Sequence, residues 1–146
     1  MSQEEGKKVS GGKFVPVEAT MNTILLIDDS RFLRSATQHL LTKSGYRVVG
    51  VGDGQEALRV VGEVRPDLIL LDMLLPVVGG PEVLQSLKKN PSTAPIPVVV
   101  LTSLSRANEA KLKQDGAAAF LEKSQLLVDS QQLLDTLRRL LPKREC

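Results

Sequence analysis

The chain has 146 residues, of which 42% are apolar and 25% are charged, and its formal net charge is +2. This profile is typical of one globular domain with a sizeable core, and so small a net charge gives no argument for binding to nucleic acid or to a membrane. Aromatic residues make up only 3% of the sequence, which removes the stacking platforms of single-strand binders. Residues 1–20 lack the apolar segment of a signal peptide, so we expect a cytoplasmic protein.

Strands and helices are predicted to alternate along most of the chain. Residues 1–21 are polar and glycine-rich and are predicted to be a flexible extension, residues 22–142 a single domain and residues 143–146 a tail. Apolar runs predict five strands in the domain, at about 23–27, 46–51, 67–71, 97–102 and 117–122. Apolar residues at helical spacing, with Ser30, Asp53 and Ser105 as capping residues, predict five helices, at about 30–43, 53–63, 79–89, 105–114 and 128–141.

This alternation of strands and helices predicts the fold class. It implies right-handed crossovers and a parallel sheet covered on both faces. We therefore predict an α/β fold, a flavodoxin-like doubly wound (βα)5 domain whose five-stranded parallel sheet has the order 2-1-3-4-5. Periodicity alone does not determine that order.

One aspartate interrupts the most apolar run of the sequence. Asp72 is the only charged residue within residues 68–76. An ionised carboxylate is costly in a strand buried on both faces unless it is paired, hydrogen-bonded or bound to a metal. A favourable place is the carboxyl end of the strand, where an open α/β sheet forms its ligand crevice. This run alone leaves two interpretations open, a ligand-binding carboxylate or a simple cap at the end of the strand.

Polar side chains also follow the ends of the neighbouring predicted strands. Asp28 and Asp29 follow the first strand, Thr102 and Ser103 the fourth, and Lys123 the fifth. In the predicted strand order these groups converge on Asp72, and clustered carboxylates oppose folding unless a cation neutralises them. Oxygen ligands of this kind suit a hard divalent ion such as Mg2+ or Mn2+. The alternative is a set of independent strand-end and helix caps.

Over about residues 22–142 these motifs resemble the receiver domain of bacterial two-component response regulators, in particular the CheY-like single-domain type. The resemblance rests on the Asp28-Asp29 pair, on Asp72 with Pro76 four positions later, and on Gly80, Thr102 and Lys123. It implies that Asp72 accepts a phosphoryl group from the phosphohistidine of a sensor histidine kinase or phosphotransfer protein. It also implies that Mg2+ or Mn2+ is held by Asp28, Asp29, Asp72 and the backbone carbonyl of Leu74.

The resemblance further implies how phosphorylation is assisted and sensed. Lys123, the Thr102 hydroxyl and the Ser103 amide would bind phosphoryl oxygens, so that Asp72, Lys123 and Thr102 carry the chemistry. Phe120 stands at the aromatic switch position of the family, and its movement would change the surface formed by the fourth helix, the fifth strand and the fifth helix. An unknown downstream protein would bind this surface, through which the chain could also form a homodimer.

Two features depart from the family pattern. Ser124 follows Lys123, where the family usually has a proline after a cis peptide bond. Because a cis bond before a non-proline residue costs about 2.5–4 kcal/mol, we expect a trans bond and a rearranged loop. Leu74 and Leu104 stand where the family often has polar residues beside the path of the hydrolytic water, which predicts a long-lived aspartyl phosphate.

The resulting functional hypothesis is a stand-alone receiver that is not an enzyme but assists its own phosphorylation and dephosphorylation. It would act through partner proteins, without direct contact to nucleic acid or membrane. A phosphorylation-independent structural receiver, or a receiver fragment of a larger regulator, remains an alternative. A remote alternative is a small Mg2+-dependent phosphatase of the haloacid-dehalogenase type, but that class has a second Asp where this chain has Leu74.

Overall fold

The computed structural model describes residues 6–8, 14–16, 21–102, 109–126 and 128–141. Its centre is a parallel sheet of five strands: β1 (Thr23–Ile27), β2 (Arg47–Val51), β3 (Leu68–Asp72), β4 (Val98–Thr102) and β5 (Ala119–Glu122). The strands lie in the order β2-β1-β3-β4-β5, and each neighbouring pair is parallel. The predicted flavodoxin-like strand order is therefore confirmed.

The helices alternate with these strands, as predicted. Within the described residues they are α1 (Arg31–Lys43), α2 (Gly54–Val64), α3 (Gly80–Lys89), α4 (Glu109–Gln114) and α5 (Ser130–Leu140), with one further helical turn at Lys123–Leu126. That turn was not predicted. The predicted start of the fourth helix, at Ser105, lies outside the described residues, and α5 begins slightly after its predicted start near residue 128.

Two predicted helix caps are in place. The Ser30 side chain accepts a hydrogen bond from the Leu33 amide, and the Asp53 side chain accepts one from the Glu56 amide. Each bond satisfies an N–H group that the first turn of a helix would otherwise leave unpaired. The Ser30 cap fixes the direction in which the chain leaves β1.

Apolar side chains cover the sheet on both faces. In β1, Leu25 and Ile27 pack with side chains of α2 and α3, whereas Ile24 and Leu26 pack with side chains of α1 and α5. Every residue of β1, β3 and β4 is buried, and full burial of one Leu or Ile contributes about 1.5–3 kcal/mol. Because these strands are central, the polar residues Asp28, Asp72 and Thr102 at their carboxyl ends are also buried.

The segment predicted as a flexible extension contains two short strands. Gly6–Lys8 and Phe14–Pro16 pair antiparallel, a hairpin that sequence analysis did not predict. The remaining residues before 21 and the predicted tail at 143–146 lie outside the described residues, and the domain boundaries stay predictions. No helix in the described part of the chain is long and apolar enough to cross a membrane.

Candidate functional site at the carboxyl edge of the sheet

Two aspartates are buried at the carboxyl ends of neighbouring strands. Asp72 is the last residue of β3, Asp28 directly follows β1, and both are fully buried. Asp72 Oδ1 accepts a hydrogen bond from the Leu74 amide at 3.0 Å, and Asp28 Oδ1 accepts one from the Ser30 amide at 2.9 Å. Asp29, the next residue, is exposed. Each strand end therefore presents a carboxylate that is held by the backbone of the loop that follows it.

A glycine allows α3 to begin directly against the end of β3. A Cβ atom on Gly80 would lie 2.5 Å from Met73 Cα and 2.6 Å from the Asp72 carbonyl oxygen, closer than real atoms approach. The Gly80 amide donates a hydrogen bond to the Met73 carbonyl at 3.2 Å. The match of Gly80 to the family pattern thus has a physical reason, because a side chain here would displace the backbone that carries Asp72.

The loop between Asp72 and α3 contains a strained residue. Val77 has φ 67°, a left-handed conformation that is unfavourable for a β-branched side chain. The Val78 amide donates to the Pro76 carbonyl at 2.7 Å, which closes a γ-turn around Val77. This part of the loop is tightly folded, although its valine is exposed.

Lys123 joins the two buried aspartates. Its Nζ lies 2.9 Å from Asp72 Oδ2 and 3.5 Å from Asp28 Oδ1. The described residues contain no cis peptide bond, so the Lys123–Ser124 bond is trans, as predicted. Instead of a proline-bent loop, Lys123 begins the helical turn Lys123–Leu126, and its ammonium still reaches the carboxylates.

Burial and charge act in opposite directions on the Asp72–Lys123 pair. Burial raises the pKa of Asp72, and the hydrogen bonds from Lys123 and the Leu74 amide offset only part of that rise. For Lys123 burial acts to lower the pKa, but the hydrogen bond and charge of Asp72 together with Asp28 raise it overall. The ammonium therefore stays charged, and Asp72 is more basic than an ordinary aspartate, which favours a nucleophilic role.

The three carboxylates fit a hard divalent cation. One oxygen from each of Asp28, Asp29 and Asp72 can be chosen so that all lie within 4.8 Å of one another. Asp28 Oδ2 is buried and has no hydrogen-bond partner among the residues that the structure describes, and such an atom is costly unless a cation or donor pairs with it. An oxygen-only ligand set is the one that Mg2+ and Mn2+ prefer.

The remaining predicted site residues are only partly described. Thr102 ends β4 and is buried one residue beyond Leu101, the partner of Asp72 in the sheet register. Ser103 and Leu104 lie outside the described residues. Phe120 is half-buried on β5, and Lys113 Nζ lies 5.5 Å from the centre of its ring.

Arg34 also contacts the site, and it was not predicted from the sequence. Arg34 Nη1 donates a hydrogen bond to the backbone carbonyl of Asp28 at 2.6 Å. The local sequence shows only that Arg34 comes four residues after the Ser30 cap. The glycines beside its side chain, Gly50 in β2 and Gly52 just after it, are distant in the sequence. The structure therefore brings together Asp28, Asp29, Asp72 and Lys123, and it adds Arg34 behind them.

Known proteins share this architecture. The family model described as the response regulator receiver domain matches residues 24–138. The polar-differentiation response regulator DivK of Brucella anthropi is 33% identical over 102 residues, which cover 69% of this chain and 83% of DivK. The structure of the chemotaxis protein CheY4 of Vibrio cholerae is 31% identical, with a TM-score of 0.76, and the match covers 83% of this chain and 99% of CheY4. The Mn2+-bound form of the response regulator Rcp1 is also 31% identical, with a TM-score of 0.71 and the same coverage of 83% and 99%.

The match to the family model begins in β1 and ends in α5, so it includes the five-stranded sheet except its first residue, Thr23, and every strand end described above. Proteins of this family act in signalling rather than as enzymes in the usual sense. On these grounds the chain belongs to the receiver domains of two-component response regulators and is of the CheY and DivK type.

Proposed function

We propose that Asp72 of this receiver accepts a phosphoryl group from the phosphohistidine of a sensor histidine kinase or phosphotransfer protein. The observation that carries the proposal is the position of Asp72. Its carboxylate is buried at the end of β3, is held by the Leu74 amide and Lys123, and lies beside two further carboxylates. Asp72 ends the middle strand of the sheet, and burial raises the pKa of its carboxyl group.

The proposed transfer is a displacement at phosphorus. A carboxylate oxygen of Asp72 forms the new P–O bond, the P–N bond to the donor histidine breaks, and its electron pair returns to the imidazole ring. Lys123 Nζ, now 2.9 Å from Asp72 Oδ2, would donate to a phosphoryl oxygen after the transfer. The Thr102 hydroxyl and the Ser103 amide are proposed to bind the other oxygens.

The acidic cluster supports a role for Mg2+ or Mn2+ in this step. Asp28, Asp29, Asp72 and the backbone carbonyl of Leu74 are the proposed ligands. The assignment is supported by Asp28 Oδ2, which has no hydrogen-bond partner within the described part of the chain. A bound divalent cation supplies charge neutralisation for the incoming phosphoryl oxygens. The Mn2+-bound structure of the related Rcp1 is consistent with this choice of metal.

Four exposed apolar side chains lie in segments that follow the carboxyl ends of β1, β3 and β5, and they suit a protein donor. Phe32 lies in the first turn of α1, Leu74 and Val77 lie in the loop after Asp72, and Val128 precedes α5. These are the exposed large hydrophobic residues of the described chain, with 55–83% of their surface accessible. Because each of them lies in a segment that follows the carboxyl end of β1, β3 or β5, we assign them to the docking of the phosphodonor protein.

Output is proposed to pass through α4, β5 and α5. Thr102 at the end of β4 and Phe120 on β5 lie on neighbouring strands, since Val100 of β4 pairs with Phe120. Inward movement of Thr102 toward the phosphoryl group would vacate space for Phe120 and change the surface that a downstream protein or a second copy binds. The cytoplasmic location stays a prediction.

Intact mass spectrometry tests the phosphoacceptor directly. The chain is incubated with Mg2+ and acetyl phosphate or phosphoramidate, beside Asp72→Asn and the control Asp135→Asn, which alters an exposed carboxylate on α5. We expect the mass of one added phosphoryl group in the wild type and in the control, and no gain in Asp72→Asn. Addition in Asp72→Asn would contradict the assignment, and no addition to any variant would favour the phosphorylation-independent receiver.

A further inference from the structure

Arg34 of α1 crosses the carboxyl end of β2 on its way to the acidic site. A Cβ atom on Gly50 would lie 3.3 Å from Arg34 Cδ, and a Cβ atom on Gly52 would lie 3.3 Å from Arg34 Nη1. The absence of side chains at these two positions therefore leaves a channel that the arginine side chain occupies. The channel ends at Asp28, whose carbonyl oxygen accepts the 2.6 Å hydrogen bond from Arg34 Nη1.

This hydrogen bond completes the fixation of Asp28. The Asp28 amide donates to the Val51 carbonyl at 3.1 Å, and Asp28 Oδ1 accepts from the Ser30 amide at 2.9 Å. The carbonyl that Arg34 binds belongs to the peptide group between Asp28 and Asp29. A short bond to a charged donor is among the stronger hydrogen bonds in proteins, so Arg34 fixes the orientation of the peptide that links two metal-ligand candidates.

We propose that Arg34 is a positioning residue for the divalent-cation site, because its bond to the Asp28 carbonyl orients the Asp28–Asp29 peptide and thereby both carboxylates. The proposal rests on the proposed function, in which these aspartates bind Mg2+ or Mn2+. It assigns Arg34 no contact with the ion or with the phosphoryl group. The bond also occupies the Asp28 carbonyl oxygen, which directs cation binding toward the carboxylate oxygens.

Electrostatics alone predicts the opposite effect of removing Arg34. A guanidinium beside the acidic cluster repels a divalent cation, so loss of its charge would strengthen cation binding if Arg34 acted only through its field. Loss of a positioning hydrogen bond would weaken binding. The direction of the change in affinity therefore distinguishes the two roles.

The test measures Mn2+ binding, with free Mn2+ followed by electron paramagnetic resonance. Arg34→Met keeps an apolar stem in the channel but removes the donor, and Arg34→Lys restores a charged donor. We expect Arg34→Met to bind Mn2+ about 10-fold more weakly, the lower end of the loss seen when partners of metal ligands are removed, and Arg34→Lys to recover most of the affinity. Arg31→Met is the matched control, because Arg31 is exposed at the start of the same helix and carries the same charge. It should bind Mn2+ as the wild type does.

Gly52→Val provides a second route to the same displacement. Its methyl groups would occupy the end of the channel and displace the guanidinium without altering Arg34 itself. The matched control is Gly62→Val on α2, where an added Cβ would meet no atom of the described residues within 4 Å. We expect weaker Mn2+ binding only in Gly52→Val, with urea unfolding in EDTA verifying that each variant is folded.

The possible failures are distinguishable. Wild-type affinity, or tighter binding, in Arg34→Met would overturn the positioning role and leave the metal site intact. If Arg34→Met does not fold, wild-type affinity in folded Gly52→Val would overturn it equally. Absence of Mn2+ binding in the wild type would instead refute the proposed metal site, and the inference with it.

Discussion

Strand β3 contains an apolar region and a terminal aspartate that are equally buried, but burial of the first favours folding and burial of the second opposes it. Leu68–Leu71 and Asp72 are all without accessible surface. Burial of the four apolar residues drives folding, whereas burial of the Asp72 carboxyl raises its pKa and so opposes its ionised form. The boundary between the two regions is a single peptide bond.

This difference shows how the domain separates stability from function. Burial of the apolar part of each central strand stabilises the sheet. This stabilisation offsets the free-energy cost of burying charged groups at the carboxyl edge. Lys123 offsets some of the cost by pairing with both Asp72 and Asp28. We therefore expect substitutions on the two sides of the boundary to change stability in opposite directions.

The largest expected effect is in the apolar region. Leu70→Ala should lower the free energy of unfolding by about 2–5 kcal/mol, because it removes a fully buried side chain and leaves a cavity. Leu74→Ala is the control, since Leu74 is 55% exposed and its change should stay within about 0.5 kcal/mol. Urea unfolding in EDTA measures both. Similar losses for the two variants would show that the boundary is not where the burial pattern puts it.

The strands, the helix caps and the convergence of the aspartates were predictable because each depends on short patterns and on general topology rules. Periodicity left the strand order open, and the order 2-1-3-4-5 was predicted because it is the common flavodoxin-like one. The apolar runs identify the strands, and Ser30 and Asp53 act within their own first turns. Parallel strands then bring their carboxyl ends together without further information from the sequence.

Other features depend on contacts that no local pattern contains. The helical turn Lys123–Leu126 is too short to show helical periodicity, although the absence of proline after Lys123 pointed to a changed loop. The role of Arg34 depends on Gly50 and Gly52, which approach it only in the folded sheet. The left-handed backbone at Val77 is imposed by its loop against the usual preference of valine.

A smaller effect is expected at Asp72, and it should depend on pH. Folding raises the pKa of Asp72 above its ordinary value of 3.8. The folded state therefore binds a proton more tightly than the unfolded state does. Protonated Asp72 contributes its full stabilisation of the folded state below pH 3.8. This contribution is lost as the pH rises through the raised pKa of the folded state. Asp72→Asn does not undergo this loss, so its stability relative to the wild type should increase across that interval.

Urea unfolding of both proteins in EDTA, from about pH 3 to about pH 8, measures this difference. Each unit by which the pKa is raised corresponds to about 1.4 kcal/mol. The difference should grow above pH 3.8 and then become constant once folded Asp72 is ionised. A wild type that gains stability relative to Asp72→Asn over this interval would show that pairing with Lys123 outweighs burial.

The smallest expected effect concerns a buried polar group away from the carboxyl edge. Thr37 of α1 is buried, and its Oγ1 has no hydrogen-bond partner within the part of the chain that the structure describes. Thr37→Val should therefore raise the free energy of unfolding by about 1 kcal/mol, since it removes an unpaired buried hydroxyl.

Thr136→Val on α5 is the matched control, because Thr136 Oγ1 donates to the Gln132 carbonyl at 2.8 Å. Its loss should cost about 0.5–1.5 kcal/mol. Destabilisation of both variants in urea would mean that Thr37 has a partner in solution. Stabilisation of Thr37→Val alone would show that an unpaired polar group also costs stability where it serves no part of the proposed site.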